Sequence, residues 1–304
     1  MKLAYVLSTQ PTHFAAVAFS PDLEKQFAHL AMLGYAGAEL AVREPAKLDA
    51  RAVMQLLNQY HLRVPALGTG QAYGEEKLSF TDPDPGIRAR ALERIESHIA
   101  LASVIASEAK QSLDLDVGSW TLEVENVTSR QAIQHPTFNF QLPIVILGLI
   151  RGKIQTNATD ARAWMIDAMR AVARAARPHN VRLAIEPINR YETDLINTVA
   201  DARDVIDQVG ADNLGILFDT FHANIEEPSI EASLRACGSR LFHVHVADSN
   251  RWYPGAGHTD FARVIATLRA MNYAGWVSAE ILQKPDFARA AEATMRTLKE
   301  LDAD

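Results

Sequence analysis

VRLAIEP (Val181–Pro187), LGILFDT (Leu214–Thr220), LFHVHVAD (Leu241–Asp248) and GWVSAEI (Gly275–Ile281) share one pattern, a short run of Val, Ile, Leu, Phe and Ala closed by an acid or carrying a histidine. An apolar run of this length reads as a strand covered on both faces, the kind that builds parallel sheets. Longer segments of helical spacing separate the runs, so the stretch is a succession of βα units. Toward the N-terminus the pattern recurs at Leu3–Ser8, Gly37–Val42, Arg63–Gly68 and Pro143–Ile150, which brings the candidate strands to eight. Between them, Pro85–Ala102 carries Ile87, Ala91, Ile95 and Ile99 on one stripe, and Asp260–Asn272 carries Phe261, Val264, Ile265 and Leu268. Eight such units predict a closed (β/α)8 barrel, a TIM barrel, as a single α/β domain over residues 1–304. The rival is an open doubly wound sheet, which the absence of a Gly-x-Gly-x-x-Gly after any candidate strand disfavours.

Residues 103–141 break the rhythm, because a short connection is expected between helix three and strand four. Within this insertion Leu113, Leu115 and Val117 alternate with acids, Gly118-Ser119 follows, and Trp120, Leu122 and Val124 alternate with polar residues. That is a hairpin pattern over 113–124, with a disordered polar loop as the alternative. A helix-to-strand connection lies at the bottom of a barrel, opposite the catalytic face, so the insertion is expected to leave the chemistry alone.

The catalytic face collects the C-terminal ends of the strands. Glu186, Asp219, His245 and Glu280 occupy those ends, 33, 26 and 35 residues apart, each interval about one βα unit. Four consecutive strands thereby deliver one ligand each to one mouth. Three carboxylates crowded together repel unless a cation neutralises them. The oxygen-rich set predicts one divalent metal ion, Mn2+ first, with Mg2+, Co2+ or Zn2+ as alternatives. His243 shares the inward face with His245 by period two but one layer deeper, and reads as a supporting residue.

With 304 residues, 48% of them hydrophobic, the chain can bury a large core. A net charge of −7, from 30 Lys and Arg against 37 Asp and Glu, disfavours a protein that neutralises nucleic-acid phosphates and points to a small-molecule partner. Cys237 is the only cysteine, so no intrachain disulfide or Cys-based metal motif can form. The apolar run in MKLAYVLSTQP is too brief for a secretory signal, and no stretch is long enough to span a membrane. The chain is expected to be cytoplasmic.

EPINRYE (Glu186–Glu192), DTFHANIEE (Asp219–Glu227), HVADSNR (His245–Arg251) and the strand ending in Glu280 resemble the motifs of the xylose-isomerase-like barrels. Within that family they look like those of the ketose 3-epimerases typified by D-tagatose and D-psicose 3-epimerases. The resemblance is strong from about Val181 to Glu280, weaker over the first hundred residues and absent across 103–141. It implies a metal-dependent isomerase or epimerase acting on a ketose or ketose phosphate, through proton abstraction to an enediolate and return of the proton. It further implies that Glu186 and Glu280 double as metal ligands and acid/base pair, that Glu192, His222 and Arg251 contact substrate, and that the chain forms a homodimer or homotetramer.

Isomerisation of another small hydroxycarbonyl compound such as hydroxypyruvate is the nearest alternative, and an abasic-site endonuclease of the same barrel type is a distant one. A catalytically silent sugar-binding protein is the third. Among the remaining polar residues, Arg151 and Lys153 in GLIRGK read either as a phosphate contact or as a solvated loop. Glu39 and Gln71 can reach the pocket from strands two and three, and Tyr73 and Trp252 can wall it. His258 borders the mouth, and Thr259 or Asp260 caps the helix that follows. Asn126 and Asn157 match a glycosylation pattern that a cytoplasmic chain leaves unused.

Overall fold

The computed structural model describes residues 1–123 and 143–303, the side chains of 109–123 excepted. Eight parallel strands close on themselves: β1 (Lys2–Ser8), β3 (Gly37–Ala41), β4 (Ala66–Gly68), β5 (Ile144–Leu147), β6 (Arg182–Ile185), β7 (Leu214–Asp219), β8 (Leu241–Val246) and β9 (Trp276–Ala279). β9 pairs back onto β1, with Lys2 opposite Trp276 and Tyr5 opposite Ala279, which completes the barrel. The two-residue strand β2 (Ala18–Phe19) extends the sheet alongside the end of β1. All eight strands expected from the sequence are present within a residue or two at most ends.

Ten helices are described: α1 (Leu23–Leu33), α2 (Ala50–Gln59), α3 (Gly70–Glu76), α4 (Pro85–Glu123), α5 (Ala158–Ala176), α6 (Val199–Val209), α7 (Thr220–Glu226), α8 (Ile230–Cys237), α9 (Phe261–Ala270) and α10 (Phe287–Ala303). Their apolar stripes pack on the outer face of the barrel and form one large core that includes Phe27, Ile95, Met169, Ile206, Val264 and Leu298. A separate cluster of Ala66, Ile144, Ile146, Ala184, Leu217 and Phe242 packs as its own core unit. None of the described helices is long and apolar enough to cross a membrane.

The expected hairpin over 113–124 is not what the structure shows: α4 runs on through Glu123. Leu113, Val117 and Trp120 are also spaced i, i+4, i+7, so the residues that alternate as a strand equally fit a helical stripe, and the continuing helix decides between the two. The rest of the insertion, with Val124 and Asn126, lies outside the described residues.

Candidate metal centre

Each strand end presents its polar residue for a local reason. Asp219 closes β7 and at the same time caps α7, its Oδ1 accepting from the backbone N–H groups of Phe221 (2.7 Å) and His222 (3.2 Å). That bond fixes the carboxylate and leaves Oδ2 facing inward. The β7–β8 pairing slips between Ile216 and Leu217, and beyond the slip His243 stands opposite Leu217 and His245 opposite Asp219. Glu186 and Glu280 follow β6 and β9 directly.

Glu186, Asp219, His245 and Glu280 each offer a ligand atom within 4.8 Å of the others. His245 Nδ1 lies 3.6 Å from Glu186 Oε1 and 3.8 Å from Asp219 Oδ2. Those same three atoms, Glu186 Oε1, Asp219 Oδ2 and His245 Nδ1, are buried and make no hydrogen bond. Orphaned buried acceptors are costly, and three converging on one point are satisfied together by a cation. Burial pushes the carboxyls of Asp219 and Glu280 above their ordinary range, and the charge of Glu186 pushes the same way. Although burial disfavours its charged form, Glu39 and Glu186 hold His245 protonated well above the usual imidazole range. A cation at Nδ1 takes the place of that proton and relieves the acids at once. The donor set therefore fits a divalent metal ion.

Behind the ligands stands Glu39, an acid in the middle of a strand whose five residues are all buried. Its Oε1 and Oε2 lie 3.0 and 3.1 Å from His245 Nε2, and Oε2 lies 2.8 Å from His243 Nε2. Burial alone would raise this carboxyl, yet the two imidazoles hold it ionised. His243 also meets Ser278 Oγ at 2.9 Å, which agrees with a supporting role. The sequence marks Glu39 only as within reach of the pocket. Its signal is a lone acid flanked by Gly-Ala and Leu-Ala where alternation would not place one.

The three expected substrate contacts gather beside the centre. Arg251 donates through Nη2 to Glu280 Oε2 and through Nη1 to Glu192 Oε1, both at 2.9 Å. Its guanidinium lies over the rings of Phe221 and Phe14, 4.7 and 5.2 Å from their centroids. The backbone of Arg251 holds a φ of 60°, a region that a bulky residue adopts at a cost. Asp248 fixes this turn: its carbonyl accepts from Arg251 N at 2.7 Å, and its carboxylate takes the N–H groups of Ser249, Gly255 and Thr259. His222 is buried, and Asn189 Nδ2 donates to its Nδ1 at 2.7 Å and to Glu192 Oε1 at 2.9 Å. Asn189 Oδ1 is taken by Tyr191 N–H, so the amide cannot be reversed. The His222 proton thus belongs on Nε2, 3.9 Å from Glu186 Oε1, and burial followed by the charge of Arg251 keeps the ring neutral.

A cavity of about 290 Å3 opens over the centre, lined among others by Glu186, Glu192, His222, His245, Arg251 and Glu280. Arg151 does not reach it: the side chain is fully buried and donates to the carbonyls of Gly148, Leu195 and Ile196. Tyr73, Trp252 and His258 are also absent from the lining. His258 pairs with Ser249 Oγ, Asp260 caps α9 through Arg263 N, and Asn157 caps α5. Cys237 is buried and its thiol pushed up to about 12 by burial, which leaves it inert.

The profile of the xylose isomerase-like TIM barrel family matches residues 27–301. L-ribulose 3-epimerase of Methylomonas sp. is 30% identical over 258 residues, 84% of this chain and 77% of the relative. D-psicose 3-epimerase of Enterocloster bolteae is 38% identical over a shorter stretch of 122 residues, 40% of either chain. The solved structure of a Methylomonas D-allulose 3-epimerase with D-allulose superposes at a TM-score of 0.75 and 23% identity, covering 99% of this chain and 96% of that one. The profile match over residues 27–301 and the 30% identity over 84% of the chain show that this closed eight-stranded barrel belongs to the xylose isomerase-like TIM barrel family, among relatives named as sugar epimerases.

Proposed function

We propose that this protein is a divalent-metal-dependent ketose 3-epimerase that removes and returns the proton on C3 of an unphosphorylated sugar. The convergence of three unpartnered buried ligand atoms on one point under the cavity carries this reading, and the names of the relatives direct it to ketoses and to C3. Mn2+ suits three carboxylates and one imidazole best. When bound, the cation supplies Lewis-acid stabilisation to charge developing on the ketose oxygens.

The protein residues do the rest. A proton beside a ketose carbonyl is weakly acidic, and inverting its carbon needs a base on one face and an acid on the other. Glu186 and Glu280 come from β6 and β9, at the two ends of the four-strand arc that bears the ligands, and serve as that pair. Arg251 holds Glu280 at 2.9 Å and sets the direction of its carboxyl. The neutral His222 presents its Nε2–H as a hydrogen-bond donor to the enediolate, and Glu192, tied to Arg251 and Asn189, accepts a substrate hydroxyl.

The lining favours a neutral sugar. Carboxylates of Glu39, Glu75, Glu186, Glu192 and Glu280 face a single guanidinium, Arg251, which two of them already hold. Among the described lining residues a phosphate dianion finds repulsion and no unpaired cation, since His13 is held by Glu75. Among the described side chains of the insertion, those of residues 103–108, none lines the cavity. Glu39, His243 and His245 also lie within 4.8 Å of one another, but they spend their nearest atoms on each other, which favours an ion-paired support over an endonuclease-type cluster. Product analysis on a panel of free ketoses, ketose phosphates and hydroxypyruvate tests the reading. C3 epimers of free ketoses are expected, and turnover confined to phosphates or to hydroxypyruvate contradicts it.

A further inference from the structure

The four ligands occupy β6, β7, β8 and β9, one half of the ring. The other half of the cavity is built on β1, β3, β4 and β5; Glu39 on β3 backs the ligand His245, whereas Gln71 makes no hydrogen bond to any of the four ligands. Gln71, on the first turn of α3 after β4, is 4% exposed and lines this side. Its Nε2 donates to Ser8 Oγ at 2.7 Å, whereas its Oε1 is buried with no partner. The orientation of the amide is determined by its neighbours. Ser8 spends its single hydroxyl proton on Gln10 O at 2.5 Å, so Ser8 Oγ can only accept from Gln71, and the Nε2 end must face it. The carbonyl end is left as a buried acceptor without a partner on a residue that lines the cavity.

The helix beside it is bare on the same side. Gly70 and Gly74, one helical turn apart, both line the cavity, and a Cβ added at either meets no heavy atom within 4 Å. Two glycines in a seven-residue helix weaken it relative to alanine. The open space beside them accommodates ligand that side chains would otherwise displace. We propose that Gln71 Oε1 accepts a hydroxyl of the sugar chain remote from the metal, and that the bare Gly70–Gly74 face admits the end of that chain. Gln71 is on this account a specificity-determining substrate contact, and the assignment rests on the ketose reading above. The ligand chemistry is a polyhydroxylated carbon chain whose remote hydroxyl is the donor.

The test compares wild-type, Gln71→Met and Gly74→Leu enzymes loaded with Mn2+ on a free ketohexose, its mono-deoxy analogues at carbons beyond C3, and a ketotetrose. Loss of one hydrogen bond to a buried acceptor predicts a fall of roughly 10- to 100-fold in kcat/KM for Gln71→Met on the ketohexose. On the analogue lacking the contacted hydroxyl the same substitution is expected to change little, with metal content unaltered. Gly74→Leu, which meets no backbone obstacle, is expected to depress the ketohexose more than the ketotetrose. An equal loss on every analogue, together with equal loss on both chain lengths, overturns the proposal. If the wild type epimerises no ketose, the ketose reading itself falls and takes this assignment with it. Normal wild-type turnover with uniform losses in both variants removes the Gln71 assignment alone.

Discussion

His245 is gripped from behind by Glu39: the Glu39 carboxylate meets His245 Nε2 at 3.0 and 3.1 Å, while Nδ1, on the other side of the ring, points unpartnered at Glu186 and Asp219. A carboxylate on the remote nitrogen fixes the tautomer and raises the basicity of the ligating one. Replacing Glu39 by Gln keeps volume and removes the charge. Affinity for Mn2+ is expected to fall about 10- to 100-fold with the barrel intact, as read by metal titration. Unchanged affinity would show that Glu39 does not tune the ligand.

Gly148 gives a sharper test of ligand placement. A Cβ there lands 2.9 Å from Glu186 Oε2, so the carboxylate must move. In Gly148→Ala, metal affinity and turnover are expected to drop together. A variant that binds metal and turns over normally would mean that Glu186 is free to shift without consequence.

The eight strands are legible because each is an apolar run bounded by turns, and the grouping of the four candidate ligands because each ends such a run at an interval of about one unit. Glu39 was harder to read, since its importance comes from two imidazoles delivered by β8, more than two hundred residues away in sequence. Arg151 misleads for a similar reason: a basic residue in a loop reads as a phosphate contact or as solvated, whereas here three backbone carbonyls from two different loops enclose it. The stretch around Leu113–Val117 supported two periodicities at once, and local pattern alone cannot choose between them.

The acids predict a pH dependence. In the metal-free protein Asp219 and Glu280 are raised above their ordinary values of 3.8 and 4.5. The folded state then binds more protons than the unfolded state, so these groups lower stability as pH rises past those values. A cation needs both ionised and removes that loss. The rise in Tm produced by a fixed concentration of Mn2+ is expected to be larger near pH 8 than near pH 5. A shift that shrinks as pH rises would contradict the assignment of these carboxyls as ligands.

Glu186→Gln and Glu280→Gln each retain an oxygen and the side-chain volume but lose the basic carboxylate. Turnover is expected to fall by about 10² to 10⁴ fold in each. In deuterated solvent the wild type should label C3 during epimerisation, and a variant with one glutamate is expected to exchange the proton without inverting the carbon. Normal epimerisation in both variants with metal in place would remove the two-glutamate mechanism.

The central claim is that Glu186, Asp219, His245 and Glu280 hold one catalytically required divalent ion. The most direct measurement follows metal content per chain by elemental analysis alongside ketose epimerisation, as the ion is stripped with chelator and restored. The account predicts one ion per chain at full activity, turnover that falls in proportion as the ion leaves, and recovery on adding Mn2+. Full turnover from a metal-free chain would contradict it.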